Sequence, residues 1–169
     1  IILCLRNFSR LDEAEMKSVD IHEGINNTLL ILNHRFHPDI EIMRDYHPLP
    51  LIECYPAQLN QVFMNIISNA VDELLEASEL SSKQLVIQTQ VVDSNQIQVR
   101  IRDNGPGIAP EIKDKIFDPF FTTKPVGQGT GMGLAIAYQI IEKHHGTIDV
   151  FSELGQGAEF VVTLPMQHS

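Results

Sequence analysis

The sequence predicts an α+β domain, and three observations carry that expectation. Residues 58–74 place Leu59, Val62, Phe63, Ile66, Ile67, Ala70, Val71 and Leu74 at helical spacing, the stripe of a helix buried on one side. Residues 96–103 alternate strictly, with Ile97, Val99 and Ile101 on one face and Gln96, Gln98, Arg100 and Arg102 on the other. A closing pair of strand-like runs, 147–152 and 158–165, adds a second antiparallel hairpin.

The remaining elements follow in chain order. Residues 1–18 begin with Ile1 rather than Met, and Ile1, Leu5, Phe8 and Leu11 keep helical spacing. Asp20 is placed to cap a helix running through His22, Ile25, Leu29 and Leu32. Short strands are expected near 39–45 and 51–54, then the long helix over 57–78. Residues 84–92 and 96–103 form a hairpin turning at Asp93-Ser94-Asn95. A region of little periodicity, 104–130, separates this hairpin from a helix over 131–145. Its part 118–130, with Pro119, Pro125 and several glycines, is expected to act as a lid that a ligand orders.

Chemistry concentrates in three places. Beside the apolar stripe of the long helix runs a polar row of Gln58, Gln61, Asn65, Asn69 and Asp72. Asparagine is a mediocre helix former, so two of them one turn apart invite a reason. Stacked amide oxygens suit a hard cation such as Mg²⁺; a plain polar edge facing water is the alternative. Asp103 falls in phase with the buried row of its strand, where a carboxylate needs hydrogen bonds. It opens the turn Asn104-Gly105-Pro106-Gly107-Ile108, and it reads either as an acceptor for an amine such as that of adenine or as a turn cap. Third, Gly127, Gly129, Gly131 and Gly133 lead into the apolar run from Leu134 to Ile141. Such a loop at a helix N-terminus favours phosphate. Neither the Walker pattern nor the G-x-G-x-x-G context is present.

In this combination the chain resembles the catalytic and ATP-binding domain of sensor histidine kinases, within the ATPase superfamily that includes gyrase, Hsp90 and MutL. Asn65-Ile-Ile-Ser-Asn69-Ala70 resembles the family's N box, and Asp103-Asn-Gly105-Pro-Gly107-Ile108 its first glycine box. Residues 116–124, from Ile116 through Thr123 to Lys124, resemble the F box, and Gly129-Thr130-Gly131-Met132-Gly133-Leu134 the second glycine box. Gly155-Gln-Gly157 with Leu164-Pro165 matches the closing strand. The boxes stand in the family's order over residues 58 to 165, and the F box, with the absence of a conserved lysine, favours a kinase over the gyrase-like relatives.

The resemblance implies a two-layer α/β sandwich of the Bergerat type, a mostly antiparallel mixed sheet of about five strands packed on three helices. Residues 1–18 would be the end of a dimerisation helix, and 19–169 the ATP-binding domain. ATP and Mg²⁺ are the implied cofactors. Asn69 and Asn65 would face the metal, Asp103 would read adenine, and Gly105, Gly107, Ile108, Gly129, Thr130, Gly131, Met132, Gly133 and Leu134 would surround the nucleotide. Thr123 or Lys124 would reach the terminal phosphate. Asp72, also assigned to the nucleotide site, stands where many relatives carry Lys, and Ala158 where many carry Thr. The implied partners are the histidine-bearing dimerisation domain of the same kinase, in a homodimer, and the receiver domain of a response regulator. The alternatives are a stand-alone ATPase of the superfamily, for which the Asn65 amide is no general base, and a nucleotide-binding interaction domain.

Composition agrees with one domain. The 169 residues carry 43% hydrophobic side chains and a net charge of -10. That charge argues against a nucleic-acid partner, whose phosphates require a basic surface. No apolar run approaches the roughly 20 residues that span a bilayer, so a cytoplasmic domain is expected, whether or not its parent is anchored. Cys4 and Cys54 lie in apolar stretches and read as buried thiols. His22-Glu23 resembles an acceptor histidine followed by an acid, and His22-Glu-Gly-Ile-Asn26 a phosphatase-like H-E-x-x-N spelling, but Gly24 and the position past the dimerisation helix speak against the acceptor role. His34 with His37, and His144 with His145, read as surface and helix-end residues rather than a zinc site.

Overall fold

The computed structural model describes residues 15–119 and 133–168. Within these, seven strands and four helices form two layers. A five-stranded sheet takes the order β2-β4-β5-β7-β6, built from β2 (Ile40–Tyr46), β4 (Lys83–Asp93), β5 (Gln96–Asp103), β6 (Thr147–Glu153) and β7 (Gly157–Pro165). Only β2–β4 is parallel. A parallel pair cannot be joined by a hairpin, and here the crossover contains α2 (Pro56–Glu76). Helices α1 (Ile21–Phe36), α2 and α4 (Gly133–Lys143) pack together, with α2 central and in contact with both neighbours and with β4 and β5.

The periodicities explain this arrangement. All eight apolar residues of the α2 stripe are buried. On the sheet, Leu85 and Ile87 of β4, Ile97, Val99 and Ile101 of β5, and Phe160, Val162 and Leu164 of β7 form one buried set, matched in register as Ile87↔Ile101 and Ile101↔Phe160. A period-two row on one side can only meet a helix stripe on the other. Asp20 caps α1 as expected, accepting from the His22 N–H at 2.9 Å. The hairpin turns at Asp93, whose Oδ1 accepts from the Asn95 N–H.

Three features differ from the expectations. A strand β1 (Lys17–Val19) pairs antiparallel with β3 (Ile52–Cys54), so the boundary expected at 18/19 falls inside a strand. The helical reading of residues 1–14 lies outside the described residues. A one-turn helix, α3 (Pro110–Lys113), lies within the region 104–130, where little periodicity is expected. His144, read as a surface or helix-end residue, is fully buried. Its Nδ1 donates to Ile140 O at 2.8 Å and its Nε2 accepts from the Tyr55 N–H at 3.1 Å, so α4 ends pinned to the start of α2. The left-handed residue after it is His145 (φ 59°), with Gly146 N–H returning to Ile141 O as in a Schellman closure.

Candidate functional site

The site is assembled on α2. At one end Asn65 donates through Nδ2 to Gly133 O at 2.9 Å, tying the start of α4 to the helix. Its Oδ1 accepts from Gln61 Nε2 at 2.7 Å. At the other end the turn after β5 abuts Leu74, whose Cδ2 lies 3.6 Å from where a Cβ on Gly105 would stand. Nine residues of α2 separate the two contacts, roughly 13 Å of helix. Asn69 lies midway and half-buried, and its side chain makes no hydrogen bond among the described residues. Gln58, counted with the polar row, is instead buried.

Asp103 closes β5 in register with Leu85 and is 6% exposed. The phase argument explains that burial. Its Oδ1 accepts from the Gly105 N–H at 2.9 Å, and the Ala158 N–H also bonds the carboxylate. Burial raises its pKa above the ordinary 3.8, against the lowering effect of these two donors. The carboxylate thus caps its turn and still has acceptor capacity, since two oxygens offer about four lone-pair sites. The turn cap and the amine acceptor are compatible roles.

The backbone around Asp103 leaves no room for side chains. Gly157 has φ +93°, and a Cβ there would meet Asp103 O at 2.0 Å. Gly107 has φ +81°, and a Cβ there would meet Glu153 O at 2.4 Å. Both positions therefore require glycine on two counts. Ser152, which carried no signal in the sequence, stitches these pieces together: its Oγ accepts from the Ile108 N–H at 2.6 Å and donates to Gly157 O at 3.1 Å. Asn104 turns away, bonding Ser82 O and the Gln84 N–H and so fixing the turn to β4. Of the F-box residues, Phe117 packs between Tyr138 of α4 and Phe160 of β7, at centroid distances of 5.4 and 6.3 Å.

The structure thus brings together Asn65, Asn69, Asp103, Gly105, Gly107, Ile108 and Gly133, with Leu134 following in α4 and packed against the core. Asp72 lies on the same helix but is ion-paired to Arg35 of α1, a residue the sequence did not single out. Thr123, Lys124, Gly129, Thr130, Gly131 and Met132, and the expected lid over 118–130 apart from its first two residues, lie outside the described residues. His22 is occupied: its ring stacks on Tyr46 at 4.3 Å, and its Nε2 lies 2.7 Å from Thr89 Oγ1. Among the described residues no group of three His, Cys, Asp or Glu is placed to hold a metal.

Comparison with known proteins agrees with this geometry. Residues 54–168 match the family of histidine kinase-, DNA gyrase B- and HSP90-like ATPases. The chain is 36% identical over 121 residues to sporulation kinase E of Bacillus subtilis, covering 72% of this chain and 15% of that protein. It is 34% identical over 168 residues to the signal transduction histidine-protein kinase AtoS of Escherichia coli, covering 98% and 26%. The structure of full-length ShkA in complex with AMPPNP superposes with a TM-score of 0.80 at 30% identity, over 96% of this chain and 34% of that one. The chain belongs to the histidine kinase-, DNA gyrase B- and HSP90-like ATPase family. Within that family it is an ATP-binding catalytic domain of the sensor histidine kinase type. It spans about a quarter or less of the two kinases just compared. Among the described residues no helix is long and apolar enough to cross a membrane.

Proposed function

We propose that the cleft along α2 binds Mg²⁺-ATP and presents its γ-phosphoryl group to a histidine on a dimerisation domain of the same kinase. A response-regulator receiver domain then accepts the group, with the parent kinase acting as a homodimer and this domain lying in the cytoplasm. The observation that carries the reading is Asp103, a buried carboxylate held at the end of a sheet row by a turn that requires glycine. Its remaining lone pairs suit the exocyclic amine of adenine, where guanine would present a carbonyl oxygen to a carboxylate.

The amide oxygens of Asn69 and Asn65 fit a hard cation. Asn69 is the better placed, because the Asn65 oxygen already accepts from Gln61. Bound there, Mg²⁺ would neutralise charge on the phosphates. The chain's own residues contribute positioning: Asn65 fixes the start of α4, and the glycine turn admits the base edge to the backbone. From the resemblance, the segment from Thr123 and Lys124 through Gly129, Thr130, Gly131 and Met132 completes the phosphate side. An ATPase with its own general base is disfavoured, since the Asn65 amide is engaged by Gln61 and Gly133 and cannot take a proton.

Isothermal titration with ATP, ADP and GTP, each with Mg²⁺ and with EDTA, tests this reading. One saturable site for ATP and ADP, weaker for GTP and weakened by EDTA, is expected. Absence of saturable adenine-nucleotide binding would reject it.

A further inference from the structure

Arg35 stands in the last turn of α1, where a basic side chain ordinarily just faces the negative end of the helix dipole. Here the guanidinium leaves its own helix. Nη1 donates to Ser68 Oγ at 2.7 Å, and Nη2 donates to Asp72 Oδ1. Ser68 and Asp72 are one turn apart on α2, and each follows an asparagine of the site by three residues, Asn65 and Asn69. All four therefore share one helix face. The Arg35 and Asp72 side chains are 31% and 23% exposed, so the pair is partly open to solvent on that face rather than sealed in the core.

Resting on the nucleotide reading above, we infer that Arg35 sets the charge of the phosphate-binding face and thereby selects polyphosphorylated nucleotides. An ionised Asp72 without a counter-charge would oppose a triphosphate laid against Asn65 and Asn69. Arg35 cancels that charge from a neighbouring helix. The contacts to Ser68 and Asp72 use two of its five N–H donors, one on each Nη, leaving three for a phosphate oxygen. Ser68 holds the guanidinium in place, so the cation is preset rather than recruited. Arg35 is thus a specificity-determining residue contributed by α1, outside every glycine-rich box.

The test is a calorimetric series with ATP, ADP and adenosine on the wild-type chain, Arg35→Gln, Asp72→Asn and the double variant. Arg35→Gln should weaken ATP about tenfold, equivalent to ~1.4 kcal/mol, ADP less, and adenosine not at all. Asp72→Asn should tighten ATP a few-fold, and the double variant should return to within about threefold of wild type, as expected for a coupled charge pair. Equal losses for ATP and adenosine in Arg35→Gln would make Arg35 a strut between helices and overturn the inference. Unchanged ATP affinity in both single variants would overturn it as well. If Arg35→Gln lacks a cooperative melt, Asp72→Asn decides alone: tighter ATP with unchanged adenosine supports the inference, and unchanged or weaker ATP overturns it. A wild-type chain that binds none of the three nucleotides rejects the cleft reading itself, and this inference with it. Nucleotide binding in wild type with flat variants rejects only the role of Arg35.

Discussion

Asp103 shows how a single phase relation sets a site. The alternation that buries Ile97, Val99 and Ile101 also buries the next residue but one, and that residue is an acid. Two backbone N–H donors hold it, yet its pKa is raised, because burial outweighs them. For an acid with a raised folded pKa, the stabilising contribution is greatest below about pH 3.8 and declines as pH rises through the shifted value. At neutral pH the ionised carboxylate is therefore kept in the fold at some expense of stability, as expected of a residue held for binding. Asp103→Asn keeps the shape but replaces one acceptor with a donor. Its ATP affinity should fall by about 1–3 kcal/mol, roughly five- to 150-fold, the cost of mispairing a buried polar group. Unchanged ATP affinity by calorimetry would remove Asp103 from adenine recognition. The burial of Asp103 was readable from spacing alone; the Arg35–Asp72 ion pair was not, because a basic residue ending a helix already has a local explanation.

At the scale of elements, α4 is pinned to α2 at both of its own ends, by Asn65 to Gly133 O and by the Tyr55 N–H to His144. Helical periodicity revealed both helices, since their buried stripes are long. It could not reveal that His144 is a buried bolt, because a histidine before a helix-ending glycine looks like dipole chemistry in sequence. Strand β1 was equally illegible: three residues, Lys17–Val19, contain too little alternation to register, and pairing with β3 alone defines them. The His144 bonds fix a neutral ring, with Nδ1 protonated and Nε2 accepting. Its pKa lies below the ordinary 6.5, first through burial and then through the nearby His168, Lys143 and His145, against the raising effect of Ile140 O. His22 is lowered too, by burial, with Asp20 opposing. The unfolded chain therefore binds more protons than the fold just below pH 6.5, so stability should drop as pH falls from about 6.5 through the shifted values. His144→Gln can still accept from Tyr55 but cannot titrate, and its urea-melt stability should depend less on pH between pH 5 and 7. An unaltered pH slope in His144→Gln would show that His144 is not the titrating bolt. His144→Ala should cost on the order of 3 kcal/mol, from a lost side chain and an unsatisfied Tyr55 N–H.

At the scale of the whole molecule, a nucleotide site and a nucleophile are separate requirements. Catalysis of phosphoryl transfer consists mainly of holding both in near-attack geometry, so a cleft alone supplies half of the reaction. The one acceptor-like spelling in the sequence, His22-Glu-Gly-Ile-Asn26, lies at the start of α1, and the fold gives its ring other work. It stacks on Tyr46 within 5° of parallel, and Nε2 meets the buried Thr89 hydroxyl. Freeing that nitrogen for attack would break its contact with Thr89. The chain incubated with γ-labelled ATP and Mg²⁺ should therefore acquire no acid-labile label. Adding a separate fragment that carries the acceptor helices of the parent kinase should restore transfer to that fragment, slowly, because the effective concentration supplied by a tether is lost. Arg35→Gln and Asp103→Asn should both slow this transfer, and extra ATP should recover much of it if each acts through binding. Label on the chain itself that disappears in His22→Gln would overturn the assignment, making α1 the acceptor helix and requiring His22 Nε2 to leave Thr89 during turnover.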